Sequence, residues 1–160
     1  MNMSQWKMKS PVGPLYIVAS PVGLHGVHWR RQAVPRMTSL RGRALTVQII
    51  SETVAQLEQY FDGQRRQFDL PLVANGTDFQ AKVWNSLMQI PYGVTKSYSD
   101  IARSIKNDKA VRAVGTANGR NTHSIIVPCH RVIAADGSLG GYAGGLSIKA
   151  KLLQLENSQF

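Results

Sequence analysis

The chain has one cysteine, Cys129, among its 160 residues. One thiol cannot close an internal disulfide, so the fold is expected to need no oxidising compartment, and a reducing cytosol would keep the sulfur available. Acidic residues are also scarce, with 9 Asp+Glu against 19 Lys+Arg and a formal net charge of +10. Such a surplus suggests a polyanionic partner, although a merely basic surface has the same composition. No tail carries it: nine basic and four acidic residues precede Gly76, and ten basic and five acidic residues follow it. No apolar run approaches the ~20 residues of a membrane span. The N-terminus lacks a charged-then-apolar signal pattern, so a soluble, cytoplasmic protein with no membrane partner is expected. Metal-binding patterns are missing too. His25 and His28 stand three apart in a segment that reads as a strand, where such positions face opposite ways, so no metal site is expected. The glycine-rich stretch from Gly137 to Gly145 lacks the Gly-Lys-Ser/Thr ending of a nucleotide loop and is read instead as close backbone approach around a pocket.

Hydrophobic patterning places the elements. Residues Trp6 to Arg30 alternate with period two, Leu15, Ile17 and Ala19 sharing one side, and Pro11 to Pro14 and Ser20 to Gly23 supply two hairpin turns. Arg30 to Arg43 is basic, is interrupted by Pro35 and reads as a solvated loop, contact with DNA being the less favoured reading. Val47, Ile50, Val54, Leu57 and Phe61 recur at helical spacing up to Gly63. Gln67 to Leu72 resembles one more strand, and Pro71 with Asn75-Gly76 marks a boundary. Asp78 is expected to cap a helix with Phe79, Val83, Trp84 and Leu87 inward, stopped by Pro91 and Gly93. Ser97, with Asp100 three residues on, opens a helix to Ile105. Lys109 to Asn118 forms the next helix, with Val111 and Val114 buried, and Leu146 to Glu156 the last. The expected class is α+β: a sheet-and-helix domain over 1–76, then a mostly helical domain over 77–160 that holds a helix-turn-helix and the cysteine.

The chemistry converges on 121–133. Ile125, Ile126 and Val127 read as a buried strand or extended segment ended by Pro128. A thiol at that stop would sit at the floor of a pocket, and a free cysteine titrates near ~8.5, so a neighbour must lower its pKa for attack at neutral pH. His130 is the candidate. The Pro128-Cys129-His130-Arg131-Val132 stretch resembles the active-site signature of the O6-alkylguanine-DNA alkyltransferases, the methylated-DNA-protein cysteine methyltransferase family. The resemblance runs from about Phe68 to Glu156 through Phe79-Gln80, Val83-Trp84, Ile90-Pro91-Tyr92-Gly93, Ser97-Tyr98, Arg112 to Gly115, Asn121 and Gly140 to Gly145.

That resemblance implies stoichiometric transfer of an alkyl group from O6 of guanine in double-stranded DNA to Cys129 of a monomer, without cofactor, and leaves activity on O4-alkylthymine open. It assigns Cys129 as nucleophile, His130 as base acting through a water, Glu156 as the group orienting His130, Tyr98 as proton donor to the leaving base and Asn121 as the brace of the preceding turn. Val132, Ser124, Tyr142, Ala143 and Gly144 would line the alkyl pocket. The small Ser124, with Gly140 and Gly141, leads us to expect room for adducts larger than methyl. Arg112 would fill the gap left by a flipped base, with the minor groove contacted by Arg112, Ala113, Tyr98 and Arg120.

Thr122, where the family has proline, and His123, Ser124 and Asp108 depart from the pattern, although none removes a reacting group. Asp108 is available to cap the helix after it. Three other readings compete. A non-catalytic reader of damaged DNA would keep the fold but replace Cys129, a DNA-binding regulator would use the helix pair alone, and a thiol hydrolase would turn over without DNA.

Overall fold

The structure, a computed structural model, describes residues 2–156. The chain divides into two compact units between Ala74 and Asn75. Among the described residues no helix is long and apolar enough to cross a membrane.

In the first unit, β1 (Ser4–Met8), β2 (Leu15–Ser20) and β3 (Gly23–His28) form an antiparallel meander, with Trp6 opposite Ile17 and Ile17 opposite Val27. The period-two side is realised: Leu15, Ile17 and Ala19 are fully buried with Leu24 and Val27. Each large aliphatic side chain so buried contributes on the order of 1.5–3 kcal/mol. The helix α1 (Leu45–Phe61) packs on β2, but its buried stripe is Val47, Ile50, Thr53, Gln56, Leu57 and Tyr60. Val54 and Phe61, expected inward, are half-buried. The stripe turns because two polar side chains have buried work: Thr53 Oγ1 donates to the Ile49 carbonyl at 2.8 Å, and the Gln56 amide pairs with both backbone groups of Asp69 at 2.9 Å.

That pairing also explains why 67–72 is not the strand expected. Its backbone is engaged by the Gln56 side chain, and only its end reaches the sheet, as a single parallel bridge between Leu24 and Leu72. Leu24 N donates to Pro71 O at 2.7 Å and Val73 N to Leu24 O at 2.8 Å. A Cβ on Gly23 would lie 2.4 Å from the Pro71 carbonyl oxygen, so the crossing needs glycine there.

The second unit is helical. Its first helix, α2 (Asp78–Leu87), is capped by Thr77, not by Asp78. Thr77 Oγ1 accepts from Gln80 N at 3.1 Å while Gln80 Oε1 accepts from Thr77 N at 3.0 Å, a reciprocal box that leaves Asp78 in the first turn near the positive helix end. Val83, Trp84 and Leu87 are buried as expected, and Phe79 is half-buried. The short strand β4 (Lys96–Ser97) leads into α3 (Tyr98–Ser104), where Ser97 and Asp100 form the expected capping box. The following helix, α4 (Val111–Gly119), starts two residues later than expected. Asp108 does not cap it: the N-cap is Ala110, with no side-chain bond. Lys106 turns the chain with φ 58, and Ala110 N is satisfied by Asn107 O at 3.0 Å. Val111 therefore stands at the open end of the helix and is 36% exposed, against the buried position expected, whereas Val114 is fully buried.

Trp84 fixes this helix pair to the unit, its Nε1 donating to Ala117 O at 2.9 Å. A Cβ on Gly76 would fall 2.6 Å from the Trp84 ring. The strand β5 (Val132–Ile133) pairs in parallel with β4, Lys96 opposite Val132 and Ser97 opposite Ile133. This short ladder sets the start of α3 beside the chain that leaves Cys129. The last helix, α5 (Leu146–Leu155), buries Lys149, Leu152 and Leu153.

Candidate active site

Residues 125–127 are buried but are not a strand. Ile125 has φ 73, and Val127 N donates back to His123 O at 2.9 Å, so the run is a compact turn. A β-branched residue in the left-handed region is strained. Asn121 holds it there: its Nδ2 donates to Val127 O at 2.8 Å, and its Oδ1 accepts from His123 N at 3.0 Å. Cys129 to Arg131 then form one turn of 3-10 helix in place of an extended segment, and Cys129, His130 and Arg131 are all buried.

Cys129 lies on the wall of a cavity of about 420 Å³. Tyr98, at the head of α3, and Tyr142 and Ala143, from the glycine-rich loop, line it with Cys129 and Asn121. Gly115, Asn118 and Gly119 make α4 one side of it. Gly140 lets the loop close on Tyr98: its φ is +70, and a Cβ there would stand 2.8 Å from the Tyr98 hydroxyl. Three residues expected in the pocket are not on its lining. Ser124 is buried in the Asn121 turn, Val132 is buried in the β4–β5 ladder, and Gly144 follows the lining residues Gly141 to Ala143.

His130 and Glu156 meet at 2.7 Å, Nε2 to Oε2, with neither side chain exposed. Arg131 completes a buried cluster, Nε to Glu156 Oε1 at 2.8 Å and Nη2 to Oε2 at 3.1 Å, while its Nη1 donates to Ile90 O at 2.7 Å. Burial opposes the charge of Glu156, but the hydrogen bonds and charges of His130 and Arg131 prevail and hold the carboxyl well below the carboxylate range. Burial lowers the His130 pKa against the pull of Glu156, so the ring is neutral at pH 7. An ionised carboxylate only accepts, which fixes the proton of neutral His130 on Nε2 and leaves Nδ1 as a lone-pair base. Nδ1 is buried with no protein partner. Gly93, at φ +80, brings its N–H to Glu156 Oε1 at 3.3 Å, and a Cβ there would press on the Glu156 carbonyl at 2.9 Å.

The thiol behaves differently from expectation. Burial pushes the Cys129 pKa up, and the opposing groups are the Asn121 side chain, the Lys149 charge and the backbone N–H groups of Cys129 and His130. The His130 ring is not among them. Burial also raises the Tyr98 hydroxyl, with Cys129 adding to the rise against a backbone hydrogen bond at Gly141, so the phenol stays protonated at neutral pH.

Lys149 and Asn118 are site residues that sequence reasoning missed. Lys149 is fully buried, and its ammonium donates to Val132 O at 2.6 Å, Gly141 O at 3.1 Å and Leu139 O, one hydrogen for each carbonyl. Burial lowers its pKa to about 8, with Cys129 pulling the other way. The signal was available: Lys149 precedes Leu152 and Leu153 by three and four residues, on the apolar stripe of α5. Asn118, four residues after buried Val114, donates from Nδ2 to Cys129 O at 3.3 Å. Arg112 and Ala113 are exposed in the first turn of α4, and Arg120 is exposed just past its end. Arg112 is three residues before Gly115, so it occupies the helix face that walls the cavity.

Residues 5–74 match the family described as 6-O-methylguanine DNA methyltransferase, ribonuclease-like domain, and residues 78–158 match 6-O-methylguanine DNA methyltransferase, DNA binding domain. The chain belongs to the 6-O-methylguanine DNA methyltransferase family. A methylated-DNA–protein-cysteine methyltransferase of Methanosarcina acetivorans is 46% identical over 150 residues, covering 94% of this chain and 96% of the relative. A namesake in Mycobacterium bovis is 54% identical over 109 residues, covering 68% and 66%. The crystal structure of Mycobacterium tuberculosis OGT in complex with DNA superposes with a TM-score of 0.85 at 41% identity, covering 96% of this chain and 92% of that one. The methyltransferase family thus accounts for both units, including the first, of which the sequence resemblance took in only the end.

Proposed function

We propose that the chain repairs DNA by moving the alkyl group of an O6-alkylguanine, extruded from the duplex, onto the sulfur of Cys129. The observation that carries this reading is the Cys129 thiol on a cavity wall beside the buried His130–Glu156 pair, with the Tyr98 phenol on the same cavity. The match to a DNA-binding domain and the likeness to a relative crystallised with DNA support duplex DNA as partner.

The chain's own groups account for each proton. A water between Sγ and the free Nδ1 of His130 carries the thiol proton to the ring, as a polar site with two partners allows. The imidazolium so formed is stabilised by Glu156. The thiolate, supported by Asn121 and the Lys149 charge, attacks the alkyl carbon. The S–C bond forms as the C–O6 bond breaks, and the electron pair passes to the purine, which takes a proton from Tyr98. The acceptor is the protein's own sulfur, so the reaction balances without a cofactor. A thioether does not hydrolyse, so each molecule acts once.

A stacked base cannot reach a buried thiol, and extrusion costs a few kcal/mol. In this reading Arg112, at the start of the α4 face that walls the cavity, enters the stack from the minor groove, Ala113 lies against the groove and Arg120 binds backbone. The unit that begins at Asn75 is then the DNA-binding alkyltransferase domain. Duplex carrying a labelled methyl at guanine O6 tests the proposal. Label should pass to the wild-type protein and not to Cys129→Ser, and label on the variant would overturn it.

A further inference from the structure

The first unit holds a charged surface that the proposed chemistry does not use. Arg30, Arg31, Arg36, Arg41 and Arg43 fall within 14 residues that contain no Asp or Glu. These five equal the whole excess of the chain before Gly76, where nine basic residues face four acidic ones, so the remainder of that part is neutral. All five are exposed. Among the described residues none of their guanidinium groups meets a carboxylate or donates a hydrogen bond.

A solvated loop would leave its backbone to water, but the first part of this one is built. Gln5, fully buried in β1, spends its whole side chain on it: Nε2 donates to Gln32 O and Val34 O, both at 2.7 Å, and Oε1 accepts from Gln32 N at 3.0 Å. The Gln5 backbone adds a bond from its N–H to Pro35 O at 2.8 Å and accepts one from Met37 N at 2.8 Å. A buried glutamine satisfied only by another segment's backbone fixes that segment's course, so Arg30, Arg31 and Arg36 flank or ride on an ordered path. Exposed arginines that meet no carboxylate are free to pair with phosphates, and an ordered backbone beneath some of them leaves less chain to order on contact.

We propose that the 30–43 loop is a second DNA contact, binding backbone phosphates outside the lesion site and independently of sequence. The inference rests on DNA being the partner. Its test is the salt dependence of binding to undamaged duplex, followed by fluorescence anisotropy. The paired substitutions Arg30→Gln/Arg31→Gln and Arg41→Gln/Arg43→Gln should each weaken binding and flatten the slope of log K against log salt by about 1 for every arginine that meets a phosphate. The charge-matched pair Lys7→Gln/Lys9→Gln should leave the slope unchanged. All three should react with free O6-benzylguanine at the wild-type rate. Unchanged slopes in the arginine variants, or equal flattening by the lysine pair, would overturn the proposal. Failure of the wild type with O6-benzylguanine would instead strike the alkyl-transfer reading and leave the slope comparison standing.

Discussion

The carboxylate of Glu156 accepts from the His130 ring at 2.7 Å and from two nitrogens of Arg131 at 2.8 and 3.1 Å, all in the protein interior. Glu156 thereby fixes the His130 ring and neutralises a guanidinium two residues from the thiol. Glu156→Gln removes the charge and leaves Arg131 buried without its counterion, which should cost about 3–5 kcal/mol of stability. Urea unfolding at neutral pH reads this.

The same group sets an acid limit. Its folded pKa lies below the ordinary 4.5, so its stabilisation is complete above that value and is lost as pH falls toward the lowered one. The unfolding midpoint of the wild type should drop below about pH 4.5, and the midpoint of Glu156→Gln should drop less steeply. Parallel curves for the two proteins would refute a coupled carboxylate.

For Lys149 the prediction concerns rate against pH. Burial holds the Cys129 thiol above its ordinary value, so reaction with free O6-benzylguanine should accelerate as pH rises through neutrality. Lys149→Met should shift that rise to higher pH and slow the neutral rate by roughly tenfold for each unit of thiol pKa no longer offset. A role confined to bracing the Val132, Leu139 and Gly141 carbonyls would lower the rate equally at every pH.

Much of this was legible in the sequence because it rests on local rules. Leu15, Ile17 and Ala19 alternate and the Ser97/Asp100 box has its fixed spacing, whereas the chemistry expected of Cys129 and His130 came from the resemblance of their motif to a known family. Several of the misses come from side-chain to backbone hydrogen bonds that override a local preference. Gln56 takes the backbone of Asp69 and prevents a strand, Asn121 forces Ile125 into positive φ, and Thr77 outcompetes Asp78 as a cap by pairing with Gln80. Lys149 was passed over because a lysine is normally solvated, and only three facing carbonyls make its burial tolerable.

Base extrusion and chemistry separate cleanly in two variants. Arg112→Ala should slow repair of duplex by the ~1–3 kcal/mol of a lost DNA contact and leave the reaction with O6-benzylguanine unchanged, because the free base needs no flipping. Tyr98→Phe should slow both substrates. Equal losses on duplex and free base for Arg112→Ala would assign that residue to the fold.

The cavity of about 420 Å³ should accept a purine with an adduct larger than methyl, an expectation that no longer leans on Ser124. Benzyl competition with O6-methylguanine duplex should therefore be effective. Gly140→Ala should abolish the advantage, since its Cβ would press on the Tyr98 hydroxyl from 2.8 Å and the backbone there is at φ +70. Full sensitivity to the benzyl compound in Gly140→Ala would show that the loop yields.

If Cys129 is the final acceptor, it is spent in one event. Titrating a fixed amount of protein with excess O6-methylguanine duplex, and counting methyl groups removed from DNA against intact protein mass, tests it most directly. Removal should reach a plateau at one methyl per molecule, with the added mass mapped to the peptide containing Cys129. Continued removal beyond one equivalent, or a methyl on any other residue, would contradict it.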